Sequence, residues 1–265
     1  MQISVSKLRA YSSCPQKFFY RYIATAEAEF TSANLQFGNA MHHALSEYHQ
    51  SLNTMGSNGM FEEFLKYWKA IVADCEQTQK CLRYGKDKEQ DLIDKAINLC
   101  VEYVGQFKDV IPNSPDDVEV LFEVPLYDPL GGFGSLEHTL IGKIDLVANG
   151  CVYEFKTASQ TPSQGEADAS IQLTAYAMAY HYLYDEVPEH LYLTALVKTQ
   201  TPKIVTLQTA RWYKEFQNVV DMGIQIARAI EAEIFYRNRE TEWGCHNCEY
   251  EQTCLGFQPQ KERFK

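Results

Sequence analysis

No stretch of about 18 consecutive apolar residues occurs in the chain, the length a membrane-spanning helix needs. The N-terminus also lacks the apolar core of a secretory signal, so a cytoplasmic protein with no membrane partner is expected. Repeats and low-complexity tracts are missing, which excludes solenoid and fibrous architectures. An excess of positive charge is missing too: 24 Lys and Arg stand against 35 Asp and Glu, a net charge of -11. That balance excludes a protein that coats nucleic acid through its overall charge, although a local basic groove remains compatible with it. Residues 1–23 are the stretch that lacks acids instead, with Lys7, Arg9, Lys17 and Arg21 among Tyr11, Phe18, Phe19, Tyr20 and Tyr22. Basic groups beside aromatics suit phosphate contacts and base stacking. Most of these rings are nevertheless expected in the core of the first helices.

What is present points to a globular protein with a real core, at 45% hydrophobic and 13% aromatic residues. A length of 265 residues fits a single domain, 1–265, with a helical insertion at 57–110. Ser4 or Ser6 is expected to cap a short first helix, and Ser13-Cys14-Pro15 to open a second. Phe37, Met41, Leu45 and Tyr48 recur at helical spacing, with the helix ending near Gly56 and a break at Ser57-Asn58-Gly59. Two amphipathic helices follow, from Phe61 to about Gln79 and from about Lys88 to Phe107. Strands are expected at 118–126, 136–148, 151–157, 191–199 and 204–207, with helices at 169–184 and 210–236. Helices on both sides of a central mixed sheet make this an α/β (α+β) fold.

The informative stretch runs from Leu140 to Thr157. Two short apolar strands flank Asn149-Gly150, a strong signal for a two-residue type I′ hairpin. Such a turn pairs Ala148 with Cys151, Val147 with Val152, Leu146 with Tyr153 and Asp145 with Glu154. Alternation then places Lys143, Asp145, Glu154 and Lys156 on one face, and Ile144, Leu146, Tyr153 and Phe155 on the core face. Two carboxylates about 5 Å apart at Cβ repel each other. A hard divalent cation such as Mg²⁺ or Mn²⁺ resolves the conflict, with Lys156 countering phosphate charge. The plainer reading is a surface hairpin whose acids are neutralised by Lys143 and Lys156.

Three of the eight cysteines, Cys245, Cys248 and Cys254, crowd into ten residues of a polar tail. In a cytoplasmic protein that spacing reads as metal ligation rather than disulfides. Cys14, at a tight helix start, is the best fourth ligand. A [4Fe–4S] cluster and a structural Zn²⁺ both satisfy this set, and His246 keeps a mixed zinc site open. Either would staple the N-terminal segment to the tail. Cys75, Cys81, Cys100 and Cys151 read as buried fillers. His42, with His43 as the alternative, could join the oxygen-rich site, and Gln172 and Tyr176 share one helix face.

Taken together, Gly38-x-x-x-His42, Gly142-x-x-Asp145, Glu154-x-Lys156-Thr157 and Gln172-x-x-x-Tyr176, in that order, resemble the PD-(D/E)XK nuclease superfamily. With Cys14, Cys245, Cys248 and Cys254 they resemble its RecB-like iron–sulfur branch, which includes the CRISPR-associated adaptation exonuclease and phage exonucleases. The resemblance implies a restriction-endonuclease-like core with a cluster region at 240–257 joined to Cys14. It also implies Mn²⁺ or Mg²⁺ held by His42, Asp145, Glu154 and the carbonyl of Phe155. Asp145, Glu154, Lys156, Gln172 and Tyr176 would serve hydrolysis of DNA ends, often single-stranded. The expected role is a stand-alone nuclease or a subunit of a DNA-processing complex. The alternative from another class is a non-catalytic DNA-end-binding adaptor.

Overall fold

Ser4 ends one element and begins the next. In the computed structural model, which describes residues 1–78, 80–128, 132–239 and 245–256, Gln2–Ser4 form strand β1 and Val5–Ser13 form helix α1. The Ser4 side chain accepts from the Lys7 amide, as a capping serine should. Pro15 then opens α2 (Pro15–Phe18), which continues into a π-turn over Phe19–Ile23. Strand β1 has no counterpart among the sequence expectations, because three residues ahead of a helix cap leave no alternation to detect.

After a two-residue strand β2 (Thr31–Ser32), three long helices follow in a row: α3 (Ala33–Gln50), α4 (Gly56–Gln77) and α5 (Glu89–Phe107). The expected break at Ser57-Asn58-Gly59 does not occur, since α4 starts at Gly56 and runs through it. Burial of Met60, Phe64 and Trp68 at helical spacing outweighs the low helix propensity of that segment. A two-residue β3 (Leu82–Arg83) between α4 and α5 pairs with β2.

The central sheet takes β4 (Val118–Asp128), β5 (Phe133–Ala148), β6 (Cys151–Ala158), β7 (Leu191–Val197) and β8 (Lys203–Thr209), together with β1. Its order is β1-β5-β6-β7-β8, with β4 on β5; β1–β5 and β6–β7 are parallel and the other pairs antiparallel. A short α6 (Gln164–Asp168) and α7 (Ile171–Tyr184) connect β6 to β7, and α8 (Tyr213–Glu231) follows β8. One core joins β1, α1, α7 and α8 to the sheet through residues such as Leu8, Phe122, Ile144, Met178 and Val220. The second packs α3, α4 and α5 on the other face, through Phe37, Trp68, Tyr103, Leu146 and Phe155. The mixed sheet between two helical layers is the α/β arrangement expected.

Strand β5 carries the detail that matters. Strand β4 runs along one of its edges, while the other edge is divided: Thr139–Ile141 pair with β1, and Leu146–Ala148 pair with β6. Between those two partners, residues 142–145 face a gap.

Candidate active site

The hairpin turn forms as its sequence dictates. Asn149 and Gly150 take φ of 51° and 71°, the left-handed pair of a type I′ turn, and the three pairs Ala148–Cys151, Val147–Val152 and Leu146–Tyr153 follow. The fourth pair does not form: the ladder ends at Leu146–Tyr153, so Asp145 and Glu154 are not cross-strand partners. Beyond Tyr153, β6 continues on β7 while β5 stays with β4, and the two strands part. The face assignment also needs correction. Ile144 packs in the α7/α8 core, whereas Leu146, Tyr153 and Phe155 pack in the α3/α4/α5 core. Strand β4 switches in the same place, with Val118 in the second core and Val120 against the first. Glu119, between them, has a left-handed φ of 56°. A simultaneous kink in both strands breaks the alternation that the simple period-two pattern assumes.

Asp145 therefore reaches into the gap instead of standing on a face. Its Oδ2 accepts from the Phe155 amide at 2.8 Å and lies 3.8 Å from Nδ1 of His42, delivered by α3. Only 8% of Asp145 is exposed, and burial, reinforced by the nearby Glu154 charge, pushes its carboxyl well above the usual carboxylate range. Burial likewise holds the His42 imidazole below its ordinary pKa and so neutral, the form that ligates metals. His43 points elsewhere: its Nε2 is 3.3 Å from Glu63 Oε2 and its ring stacks on Tyr67.

Glu154 is fully buried. Its Oε1 faces the Lys156 ammonium in an ion pair, and its Oε2 accepts from Gln172 Nε2 at 2.9 Å. Gln172 is the hub of this side, because Lys156 Nζ donates to its Oε1 at 2.8 Å and its Nε2 lies 2.8 Å from the Tyr176 hydroxyl. Arg9 of α1 adds a 3.2 Å bond to the same Oε1. Burial, then the neighbouring carboxylates, raises the Tyr176 pKa, so this hydroxyl stays protonated. The structure thus brings together His42, Asp145, Glu154, Lys156, Gln172 and Tyr176 where β5 and β6 separate. Lys143, in contrast, pairs with Glu119 rather than with either expected acid.

Glu119 is the residue that sequence reasoning missed. His42, Glu119 and Asp145 each offer a donor atom within 4.8 Å of the other two. These residues line an open cleft of about 800 Å³, with Phe122, Gln172 and Tyr176 among its walls. Nothing in the local pattern of β4 marked Glu119, since its importance comes from a kink and from a long-range contact with α3.

The chain matches the PD-(D/E)XK nuclease superfamily over residues 2–255. It belongs to that superfamily. A curated relative, one subunit of an ATP-dependent helicase/deoxyribonuclease from Carboxydothermus hydrogenoformans, is 29% identical over 193 residues. That match takes in 64% of this chain and only 17% of the relative. A solved structure of a candidate exonuclease from Eubacterium rectale superposes with a TM-score of 0.58 at 13% identity, covering 100% of this chain and 91% of that one. At that identity the likeness speaks for the fold alone.

Away from the cleft, Cys14, Cys245, Cys248 and Cys254 line one cavity of about 330 Å³ with Lys17 and Tyr20. The C-terminal segment is docked there by bonds from the Gln16 amide to Tyr236 O and from the Glu29 amide to Glu249 O, and Arg237 donates to Cys254 O within the segment. Burial raises the Cys248 and Cys254 thiols, and the other thiols raise them further. Four cysteine thiols around one cavity are a donor set that both zinc and an iron–sulfur cluster use. The rest of the expected cluster region, 240–244 and 257, and the His246 side chain lie outside the described residues. Cys75, Cys100 and Cys151 are buried fillers as expected, but Cys81, just ahead of the two-residue β3, is exposed. Among the described residues no helix is long and apolar enough to cross a membrane.

Proposed function

We propose that this chain is a cation-dependent deoxyribonuclease that hydrolyses phosphodiester bonds at DNA ends, preferentially on single strands. It would serve recombination and repair, CRISPR adaptation or phage DNA processing, alone or beside a protein partner. The observation that carries this reading is the split edge of β5, where Asp145, His42, Glu154, Lys156 and Gln172 gather around one gap. The site is mostly buried and acid-rich, and a neutral imidazole completes a donor set suited to hard divalent cations. His42, Asp145, Glu154 and the Phe155 carbonyl would hold Mn²⁺ or Mg²⁺. When bound, the cation supplies Lewis-acid polarisation of a phosphate and a more acidic water.

The protein's own groups do the positioning. The Phe155 amide fixes Asp145. Gln172 holds Lys156 so that its ammonium can stabilise charge on a phosphate oxygen, and it holds Glu154 in register with that lysine. Tyr176 keeps its proton and supports Gln172. We further take 1–265 as one nuclease domain with α4 and α5 as an insertion, and the four-thiol cavity as the seat of a [4Fe–4S] cluster that staples the tail.

The test is anaerobic purification followed by Mn²⁺-dependent digestion of end-labelled single- and double-stranded linear DNA. Degradation is expected from the ends, and it should vanish in folded Asp145→Ala and Lys156→Ala proteins. Equal cutting by these variants would refute the site. End binding without turnover under any metal would make the chain an adaptor.

A further inference from the structure

Glu119 has no role in the set above, yet it sits against it. Its neighbours Val118 and Val120 pair with Leu146 and Ile144, which brings Glu119 alongside Asp145 at the kink. Its carboxylate falls within 4.8 Å of donor atoms of both His42 and Asp145. An octahedral Mg²⁺ or Mn²⁺ with bonds of about 2.0–2.1 Å spans opposite ligands about 4.2 Å apart, so small side-chain rotations bring all three donors onto one ion. We propose that Glu119 is a further ligand of the divalent cation, entering the seat from β4 beside His42 and Asp145. This rests on the cation-dependent reading given above.

Charge favours the assignment. The Glu154 carboxylate shares its charge with Lys156, so of the two acids named above only Asp145 lacks a lysine partner. Glu119 adds a further carboxylate on the His42 and Asp145 side of the seat. The competing role for Glu119 is its ion pair with Lys143, whose side chain is 53% exposed. With its lysine half this exposed and its Glu119 half 22% exposed, the pair is screened on one side and weaker than a buried one. Cation binding draws Glu119 off Lys143 and frees that ammonium at the rim of the cleft.

The two roles make opposite predictions. Calorimetric titration with Mn²⁺, without DNA, is run on wild type, Glu119→Gln, Lys143→Met and Asp145→Asn, each checked for its folded circular-dichroism spectrum. Glu119→Gln should weaken Mn²⁺ binding about tenfold or more, the scale of losing a group that supports a metal site. Lys143→Met should bind as tightly as wild type or more tightly. A smaller loss in Glu119→Gln, or an equal loss in Lys143→Met, overturns the proposal. Should Glu119→Gln fail to fold, Lys143→Met binding Mn²⁺ more tightly than wild type supports the proposal, and binding no tighter overturns it. A flat Asp145→Asn titration beside an unaffected Glu119→Gln removes Glu119 only. Wild type that binds no Mn²⁺, or Asp145→Asn that binds like wild type, removes the seat itself.

Discussion

The Phe155 amide donates to Asp145 Oδ2 at 2.8 Å, across the point where the two strands of the hairpin part. This bond replaces the ladder pair that regular register would have made. It anchors a buried carboxylate beside His42 at the edge of the cleft. Pre-orientation of this kind costs no rearrangement when a ligand arrives.

Gln172 should separate positioning from ligation. Its amide links Lys156, Glu154 and Tyr176 without reaching His42 or Asp145 in the hydrogen-bond network. Gln172→Leu is expected to lower kcat by about tenfold to a hundredfold, as loss of supporting hydrogen bonds does, with a smaller loss of Mn²⁺ affinity through Glu154. Steady-state kinetics paired with Mn²⁺ calorimetry checks this.

Gly142 is required by a ring. A Cβ placed there would lie 2.5 Å from Cζ of Phe122, the residue paired with it across β4 and β5. Phe122 is 5% exposed and packs edge-on against Tyr176 at 6.1 Å, so it has little room to yield. Gly142→Ala is expected to destabilise the fold by about 1–3 kcal/mol, the usual cost of overpacking. Urea denaturation measures the loss, and Phe122→Leu in the same chain should recover part of it.

His49 should make the protein acid-sensitive. Buried beside Phe155 and bonded to the Tyr103 hydroxyl at 2.7 Å, it has its pKa lowered by burial from 6.5 to about 4. Above pH 6.5 the imidazole is neutral folded and unfolded, and it adds no pH dependence. Between pH 6.5 and about 4 the unfolded chain binds a proton that the folded one refuses, so stability falls with pH. The full loss is on the order of 3 kcal/mol at 1.36 kcal/mol per pKa unit. Thermal melts of wild type and His49→Gln across this range should converge in acid.

The thiol cavity predicts a colour and a melting temperature. Cys14→Ser and Cys254→Ser should each abolish broad visible absorption in anaerobic protein and lower Tm, whereas Cys100→Ser, in the helical core, should keep the colour. Colourless wild type with stoichiometric zinc would reassign the site.

How much of this was legible beforehand divides along physical lines. Local chemistry was readable: Asn149-Gly150 dictated its turn, Pro15 its helix start, and the helical spacing of Phe37, Met41, Leu45 and Tyr48 the buried face of α3. The choice between His42 and His43 was not, because adjacent helical positions differ only in which neighbour they meet, and that depends on where α4 packs. Glu119 was invisible for a related reason. Its left-handed backbone and the paired kink in β5 arise from tertiary packing that no alternation rule encodes.

The divided edge of β5 has one more consequence. Between Ile141 and Leu146, backbone groups on that edge have no strand partner among the described residues, although both flanks are laddered. In deuterated water these amides should form an island of rapid exchange inside an otherwise slowly exchanging strand. Occupancy of the cleft, by ion or by nucleic acid, would then be visible as slowed labelling at the alternate amides of this short stretch that face the gap.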